Sequence, residues 1–336
     1  KVGTAGLAAV NLCLPIYLVL CIIGSFLVSG TAIQASKAIG DGQMDTAQSL
    51  YQTALSSCIL VSIIVTAAGL LFLNPLINFL CPAPEMRKLA TDYAGVTLAG
   101  AIGKILIYVP FWYLRMDGRG RVVTVMMTIM GVGNVLLDIL FLYAFDMGVF
   151  GAGLASVIAT AAACVVGFVC LCDRKSSFHF GISVIRHKKA WAEIAKAGSP
   201  SAVNNLFQTL RILAVNMLLL KYGGSVMVAS FTAVNCISAF AGCITDGIPQ
   251  AASAMLGIYY GEHDSSSIRL LIKREWKSGL LYTGIFSAVV LLSADWIAAL
   301  YGFSISLCFP LACLCAGTVP ALWSCILSGW YNVSDK

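Results

Sequence analysis

Charged residues are scarce in this sequence. They make up 11% of its 336 residues, whereas soluble domains carry about 25%. The chain has only three histidines, and no Walker phosphate loop, GxSxG elbow or HExxH motif occurs. Its thirteen cysteines show no CxxC or Cys/His spacing. These absences argue against a soluble domain, a metal-dependent or nucleophilic enzyme, and an ATP-driven machine.

Long hydrophobic runs are what the sequence does contain. Hydrophobic residues make up 59% of the chain, and the mean hydropathy is +0.90. A membrane-spanning helix needs about 20 such residues. The sequence therefore predicts an all-α polytopic membrane protein, with Pro110, Pro200 and Pro249 as candidate bends. Nine runs are long enough to span, at 8–36, 53–73, 94–114, 122–145, 151–172, 199–220, 226–257, 278–300 and 304–330.

Lysine and arginine are unevenly divided between alternate loops. One set of loops, together with the end of the chain, holds 15 basic residues and the other set holds four. Because basic loops stay on the cytoplasmic side, the first set is predicted to be cytoplasmic. The net charge of +6 is mostly this topology signal, and no basic cluster sits on a soluble domain, so nucleic-acid binding is not favoured.

Short blocks of the first half recur in the same order in the second. Repeated apolar halves are the build of secondary transporters, which bind cargo between two halves that move against each other. One block recurs at an offset of 217, where Gly30, Ala35, Ser36 and Gly40 are matched by Gly247, Ala252, Ser253 and Gly257. The next recurs at an offset of 219, where Gly42 and Asp45 are matched by Gly261 and Asp264.

The repeat predicts a parent of twelve spans, in two six-helix lobes related by a pseudo-two-fold axis along the membrane normal. The first half would begin roughly 20 residues before Lys1. We therefore expect a fragment that lacks the first helix and the last two. Residues 1–172 would form the N-lobe (helices 2–6), 173–197 a cytoplasmic linker, and 198–336 the truncated C-lobe (helices 7–10).

Three polar residues in the predicted N-lobe spans are candidates for ion binding. Asn134 and Asp138 are four residues apart and share one helix face. Asp138 and Ser156 each lie nine residues from Met147, the predicted loop centre, so an antiparallel hairpin would place them at the same depth. A carboxylate, an amide and a hydroxyl suit a hard cation such as sodium, and a desolvated Asp suits proton carriage. The alternative is a buried Asp bonded to a neighbouring helix.

Three segments resemble the multidrug and toxic compound extrusion (MATE) family, namely Leu114-Arg-Met-Asp-Gly118, Asn134-Val-Leu-Leu-Asp138 and Gly151-Ala-Gly-Leu-Ala-Ser156. The resemblance covers essentially the whole chain, as helices 2–10 of that family's twelve. It implies sodium- or proton-coupled antiport of organic, often cationic, compounds by a monomer without a cofactor. It also implies that Asn134, Asp138 and Ser156 belong to the family's N-lobe cation site, whose further Asp, on helix 1, would precede Lys1.

The remaining candidates could line a cavity for cargo, and they include two basic residues within the spans. Lys104 and Arg211 disfavour a purely cationic cargo. They could pair with acidic residues such as Asp138 or bind an anionic group, or be structural residues that snorkel. An anionic group keeps open a flippase for lipid-linked sugars or other anionic lipids of the same superfamily. The other cavity candidates are Gln34, Tyr108, Asn204, Gln208 and Asp246.

The sequence thus predicts a multi-pass transporter of a bacterial inner membrane that works by alternating access and is not an enzyme. Its partners would be small organic molecules, a coupling cation and the lipid bilayer. A membrane-embedded enzyme or a receptor is disfavoured, because no catalytic cluster appears at a membrane face and receptors usually lack a duplicated half.

Overall fold

A computed structural model describes residues 3–80, 84–173, 176–181, 191–200, 202–203, 205–207, 210 and 252–293. Every regular element in those ranges is a helix. The prediction of an all-α protein is therefore confirmed.

The first half of the chain forms eight helices with short connections. A five-residue π-helical segment, Leu140–Ala144, extends the seventh helix, and a further helix, Ser265–Leu292, lies in the second half. The eight helices are α1 (Gly3–Gly40), α2 (Met44–Leu71), α3 (Leu73–Leu80), α4 (Pro84–Ala99), α5 (Ala101–Leu106), α6 (Tyr108–Met116), α7 (Gly120–Ile139) and α8 (Gly148–Leu171).

Among the residues that the structure describes, four helical stretches are long and apolar enough to cross a membrane, and a bent helix pair makes a fifth. They are Cys13–Gly40, Met44–Leu71, Arg87–Ala99 with Ala101–Met116, Gly120–Ala144 and Gly148–Leu171. These match the first five predicted spans. Of the other four runs, 278–300 overlaps the helix Ser265–Leu292, which begins earlier, and the rest lie largely outside the described residues.

Helix α1 is much longer than a bilayer requires. Its 38 residues correspond to about 57 Å of helix, against about 30 Å of hydrocarbon. Pro15 lies inside it without ending it. The helix therefore extends beyond the hydrocarbon or tilts strongly, as the length of the run predicted.

The third predicted span is bent by 52° between α4 and α5. Gly100 lies at the bend, where a Cβ atom would come within 2.3 Å of Val157 Cγ2 on α8. Glycine is required there because only its bare backbone allows α8 to approach so closely. Pro110, one of the three candidate bends, lies in the first turn of α6, which begins at Tyr108 after a break at Ile107.

The helices pack through small residues inside and expose apolar residues outside. Buried alanines such as Ala54, Ala101 and Ala163 belong to the main core cluster. In contrast, α7 buries only Val123 and Met126 and leaves large apolar side chains such as Leu136 exposed. An exposed face of this kind suits lipid rather than water.

The loops predicted to be cytoplasmic meet at one end of this bundle. Gly118, at φ +72°, ends the third span in a Schellman turn, since the Arg119 amide donates to the Leu114 carbonyl at 2.8 Å. Arg119 then contacts Asp117 (3.2 Å) and Asp173 (3.4 Å), which follows α8. We call this end, with residues 37–39, 43–48, 115–121, 170–173 and 176–181, the basic edge.

A short segment without regular secondary structure packs against the helices at the basic edge. We call residues 176–181, which follow α8, the strap. Its Phe178 is 1% exposed and packs against the rings of Tyr51 and Tyr113, with centroids 5.3 and 5.1 Å away. The side-chain amide of Gln48 bonds to both backbone polar groups of His179. The start of the predicted linker is thus fixed to the N-terminal helices.

The turn after α1 recurs in the second half, in a register that differs from the predicted one. The Gln43 amide donates to the Ala38 carbonyl, and the Asp264 amide donates to the Tyr259 carbonyl, at 2.7 and 3.0 Å. Both pairs are related by 221 residues, and Gly42 and His263 occupy the left-handed position of each turn. The predicted offsets of 217 and 219 are therefore wrong at this turn. The offset of 217 differs from 221 by four residues, which is close to one helical turn and preserves the helix face, whereas the offset of 219 differs by two.

By their internal contacts, the residues divide into two compact units. One comprises 1–39 and 43–206, and the other 40–42 and 207–336. The helical stretch 191–200 groups with the first unit. The lobe limits inferred from the sequence, 1–172 and 198–336 with a linker between them, stay a prediction.

Candidate functional site

Helices α7 and α8 bring two of the three predicted ion-binding residues together. The side-chain amide of Asn134 donates a hydrogen bond to the Ser156 hydroxyl oxygen at 3.0 Å. This pair leaves the carbonyl oxygen of Asn134 and a lone pair of Ser156 able to accept a proton donor or coordinate a cation. Gly151 of α8 allows the end of this hairpin to pack closely, since a Cβ atom there would lie 3.0 Å from the Cβ atom of Phe141.

Asp138 lies one turn along α7 from Asn134. Its Oδ1 atom is fully buried, and among the described residues no group donates a hydrogen bond to it. A buried carboxylate oxygen without a donor costs free energy, about 1–3 kcal/mol or more for a charged group. Tyr93 of α4 lies close enough to interact with the Asp138 charge. The sequence interpretation missed Tyr93 because it falls one residue before the predicted span 94–114.

Ser156 lies level with Asn134, and the prediction that it lies level with Asp138 is wrong. Asn134 and Ser156 are each eleven residues from Phe145, so the hairpin is centred two residues before Met147. The π-helical segment Leu140–Ala144 contributes to this shift, because a π-helix holds more residues in each turn than an α-helix. A sequence of apolar residues gives no sign of such a segment.

A second polar cluster joins α1 to the bent span. Lys104 of α5 is 5% exposed, and its ammonium lies 4.9 Å from the ring centroid of Tyr17. The side chains of Tyr17 and Tyr108 both approach the thiol of Cys21. The Tyr108 ring lies flat against α1 at Gly24, where a Cβ atom would be 2.6 Å from Tyr108 Cδ2.

The two clusters carry their charges on different helices, and Tyr93 of α4 lies close to both Asp138 and Tyr17. In the described part of the chain no carboxylate lies within ion-pair distance of Lys104, so the suggested pairing with Asp138 does not occur. Gln34 is half-buried on α1 and makes no side-chain hydrogen bond to a described residue. Four predicted cavity residues, Asn204, Gln208, Arg211 and Asp246, lie outside the described residues. Next to the first of them, the Asn205 amide donates to Ser25 of α1 at 3.2 Å.

The donor set around Asp138 is of the kind that binds one monovalent cation or one proton. Across the described ranges no group of three or more His, Cys, Asp or Glu residues comes together. One carboxylate, one amide oxygen and one hydroxyl are all hard oxygen donors. The cysteines in these ranges are free thiols, and the buried ones, such as Cys58, lie in the apolar core.

Comparison with known proteins gives two kinds of relative. Over 238 residues the chain is 25% identical to a protein of Shewanella oneidensis named "FAD transporter", a match that covers 69% of this chain and 52% of the relative. Over 221 residues it is 25% identical to "Multidrug export protein MepA" of Staphylococcus haemolyticus, covering 65% of this chain and 48% of the relative. The chain thus spans about half the length of these relatives.

The fold has a close counterpart among solved structures. A crystal structure of MATE in complex with MaD3S superimposes with a TM-score of 0.87 at 20% sequence identity, over 99% of this chain and 76% of that one. The family model MatE matches residues 1–143 and 200–330, which is most of the chain. This chain, a multi-pass membrane protein, therefore belongs to the MatE family.

Proposed function

We propose that the protein exports organic compounds across the membrane in exchange for sodium ions or protons. The names of its relatives support export or transport of small molecules, with FAD in one case and several drugs in the other. The observation that carries the coupling is the buried, unpartnered Oδ1 of Asp138 beside the Asn134–Ser156 pair.

Asp138 is suited to bind the coupling ion because a cation would supply what this oxygen lacks. A proton would neutralise the charge, and a sodium ion would coordinate the oxygen. Asn134 and Ser156, one turn away, already hold each other in place, so little rotamer freedom would be lost when the ion binds. The family resemblance names the same three residues as ligands.

Ion binding at Asp138 would bias alternating access. Neutralising one charge in a low-dielectric site changes its free energy by a few kcal/mol. A shift of about 5.5 kcal/mol turns a 1:99 population into 99:1, so a single charge makes a substantial part of such a switch. The coupling ion would stabilise one arrangement of the transporter, and cargo would stabilise the other. Neither needs a cofactor or covalent chemistry, and we propose that a monomer suffices.

The experiment is gradient-driven export from proteoliposomes that contain the full-length protein. Export of a fluorescent organic compound would be measured under an imposed sodium gradient and then under a proton gradient, for wild type and Asp138→Asn. We expect one gradient to drive export in wild type, and the variant to lose it by about tenfold or more, since a lost charge-assisted bond exceeds about 1.4 kcal/mol.

Asp41→Asn is the matched control, because Asp41 is an exposed carboxylate in the loop after α1. It should export like wild type. Unchanged gradient-driven export by Asp138→Asn would reject Asp138 as the coupling site. No export by wild type under either gradient would instead favour the flippase alternative.

A further inference from the structure

Lys104 is the one basic residue buried in the interior of the described N-terminal helices that carries no acidic partner there. It is 5% exposed and lies on α5, one turn after the bend at Gly100. A charged ammonium in a membrane-spanning segment is costly, and such residues usually face a partner, a cavity or a transported species. The feature to explain is why a lysine occupies this position.

Burial of Lys104 is only partly offset by its neighbours. The ring of Tyr17 lies under the ammonium at 4.9 Å, and a cation–π contact of this kind contributes about 0.5–2 kcal/mol. The Cys21 thiol also lies close to the ammonium, and among the described residues no carboxylate comes within 4.0 Å. By contrast, Arg119 at the basic edge contacts two aspartates. Among the described residues, therefore, no negative charge lies beside Lys104.

The groups around Lys104 are those that would bind an anion. Tyr17 and Cys21 are four residues apart on α1, and Lys104 and Tyr108 are four apart across the α5–α6 junction, so each pair lies on one face. Both tyrosine hydroxyls approach the Cys21 thiol. An ammonium with two hydroxyl donors matches a carboxylate or a phosphate oxygen.

A ligand could reach the cluster from outside the N-terminal helices at Tyr17. Tyr17 is 42% exposed, although its ring covers the buried ammonium. A change of the Tyr17 rotamer would therefore uncover Lys104 without movement of a helix. An aromatic ring at the entrance would in addition stack against a flat organic cargo.

We propose that Lys104, Tyr17 and Tyr108 form a cargo site that binds an anionic group, a carboxylate or a phosphate, on the transported compound. The inference rests on the proposed export function and names its substrate class. It differs from the ion site in place and in charge, because Asp138 lies on α7 and makes no contact with Lys104. An organic anion and a lipid phosphate share this chemistry, and the experiment separates them.

The test is equilibrium binding to the purified full-length protein in detergent, which needs no gradient and no coupling. The probes are carboxyfluorescein, an anion, and rhodamine 123, a cation on a similar ring system, each followed by fluorescence anisotropy. Dioctanoyl phosphatidate and dioctanoyl phosphatidylcholine are added as competitors. The proteins are wild type, Lys104→Met, Lys104→Arg and the control Lys273→Met, which removes an exposed lysine.

We expect wild type to bind carboxyfluorescein, or to bind phosphatidate in preference to phosphatidylcholine. Lys104→Met should weaken this binding by about tenfold or more, the loss of one charge-assisted bond. Lys104→Arg should keep most of it, and Lys273→Met should match wild type. Rhodamine 123 binding should not fall in Lys104→Met. Displacement of the dye by phosphatidate alone would identify a lipid source, and binding of the dye without such displacement would identify a soluble anion.

Equal anion binding by Lys104→Met and wild type would overturn the proposal, and so would a wild type that binds neither anionic probe. Misfolding is not expected in the methionine variant, since a side chain of similar length replaces a buried charge, and its thermal midpoint in detergent checks this. Unchanged export by Asp138→Asn, which would reject the coupling site, would leave these binding results unaltered, so failure of the one proposal can be distinguished from failure of the other.

Discussion

The charges inside the N-terminal helices differ from those at the basic edge in how completely the protein pairs them. At the edge, Arg119 contacts Asp117 and Asp173, and the Ser177 amide donates to Asp117 Oδ1 at 3.0 Å. Within the helices, and among the described residues, half-buried Asp138 keeps one buried oxygen without a donor, and Lys104 contacts an aromatic ring rather than an acid. An ion pair between loops, such as that of Arg119 with Asp173, holds the loops in place, whereas an interior charge without a charged partner retains the capacity to bind something that passes through.

The two interior charges also differ from each other. Asp138 lies beside a preformed amide–hydroxyl pair, which suits a small ion with strict ligand geometry. Lys104 lies between tyrosines, which suit a larger and flatter ligand. A transporter that places its ion and its cargo on separate helices can couple them through movement rather than through direct competition.

The largest effect on export is expected of Asp138→Asn, which tests whether the interior charge differs in function from the charges of the basic edge. If the interior charge is functional, this variant loses coupled export by about tenfold or more while its expression stays normal. Expression and thermal midpoint would be measured on the same preparation as export. A variant that exports normally but is less stable would place Asp138 with the structural charges of the basic edge.

A smaller effect is expected of Ser156→Ala. This change removes one neutral oxygen and leaves the Asn134 amide without its acceptor, which costs about 0.5–1.5 kcal/mol. The half-saturating concentration of the coupling ion should therefore rise by about two- to tenfold, with little change in maximal export. Thr160→Ala is the control, since Thr160 bonds only to the carbonyl of Ser156 on its own helix, at 2.7 Å. The prediction fails if both variants raise the half-saturating concentration equally.

At the basic edge, Asp117→Ala should affect stability and leave ion coupling unchanged. The change removes the contact to Arg119 and the bond from the Ser177 amide, together worth about 1 kcal/mol. We expect a lower thermal midpoint in detergent and normal export per folded molecule. Loss of gradient coupling in folded Asp117→Ala protein would erase the distinction between edge and interior.

The smallest effect is expected at Asp264, an exposed carboxylate whose Oδ1 atom accepts three hydrogen bonds. Its Oδ1 accepts hydrogen bonds from the amides of Ser266 and Ser267 and from the Ser266 hydroxyl, which caps the helix Ser265–Leu292. These bonds lower the pKa of Asp264 from 3.8 to about 2. A lowered pKa means that the cap stabilises the fold fully above about pH 4 and is lost as the pH falls towards 2.

Asp264→Ala should accordingly lower the thermal midpoint slightly at pH 6, with a smaller difference from wild type at pH 3. Asp264→Asn should keep most of the cap, because asparagine is an equally good N-cap residue, and its midpoint should depend less on pH in this range. A difference between wild type and the alanine variant that grows on acidification would contradict the assigned cap.

Several features of this molecule could be predicted from its sequence, for identifiable reasons. Apolar runs gave the first five spans because a bilayer imposes one length on every helix. Asn134 and Ser156 were grouped because a short hairpin holds its two helices together. The predicted pairing of Ser156 with Asp138 was wrong by one turn, since a π-helical segment has no signature in apolar sequence.

Contacts between distant residues could not be predicted. Tyr17 and Lys104 are 87 positions apart, and only the packing of α1 against α5 brings them together. The bend at Gly100 depends on Val157 of α8, whereas Pro110, the visible candidate, sits in a helix that continues past it. The sequence predicts which residues share a face of one helix. The residues that they contact on a neighbouring helix depend on how the helices pack.

The strap has a consequence for the order in which the protein is made. Its residues leave the ribosome directly after α8, when helices α1–α8 have been synthesised and those of the second half have not. Phe178 can then enter its place between Tyr51 and Tyr113 before any later helix reaches the membrane. The protein would thus fold in two steps. The first half would pack in the bilayer, with the strap in place, before the second half is inserted.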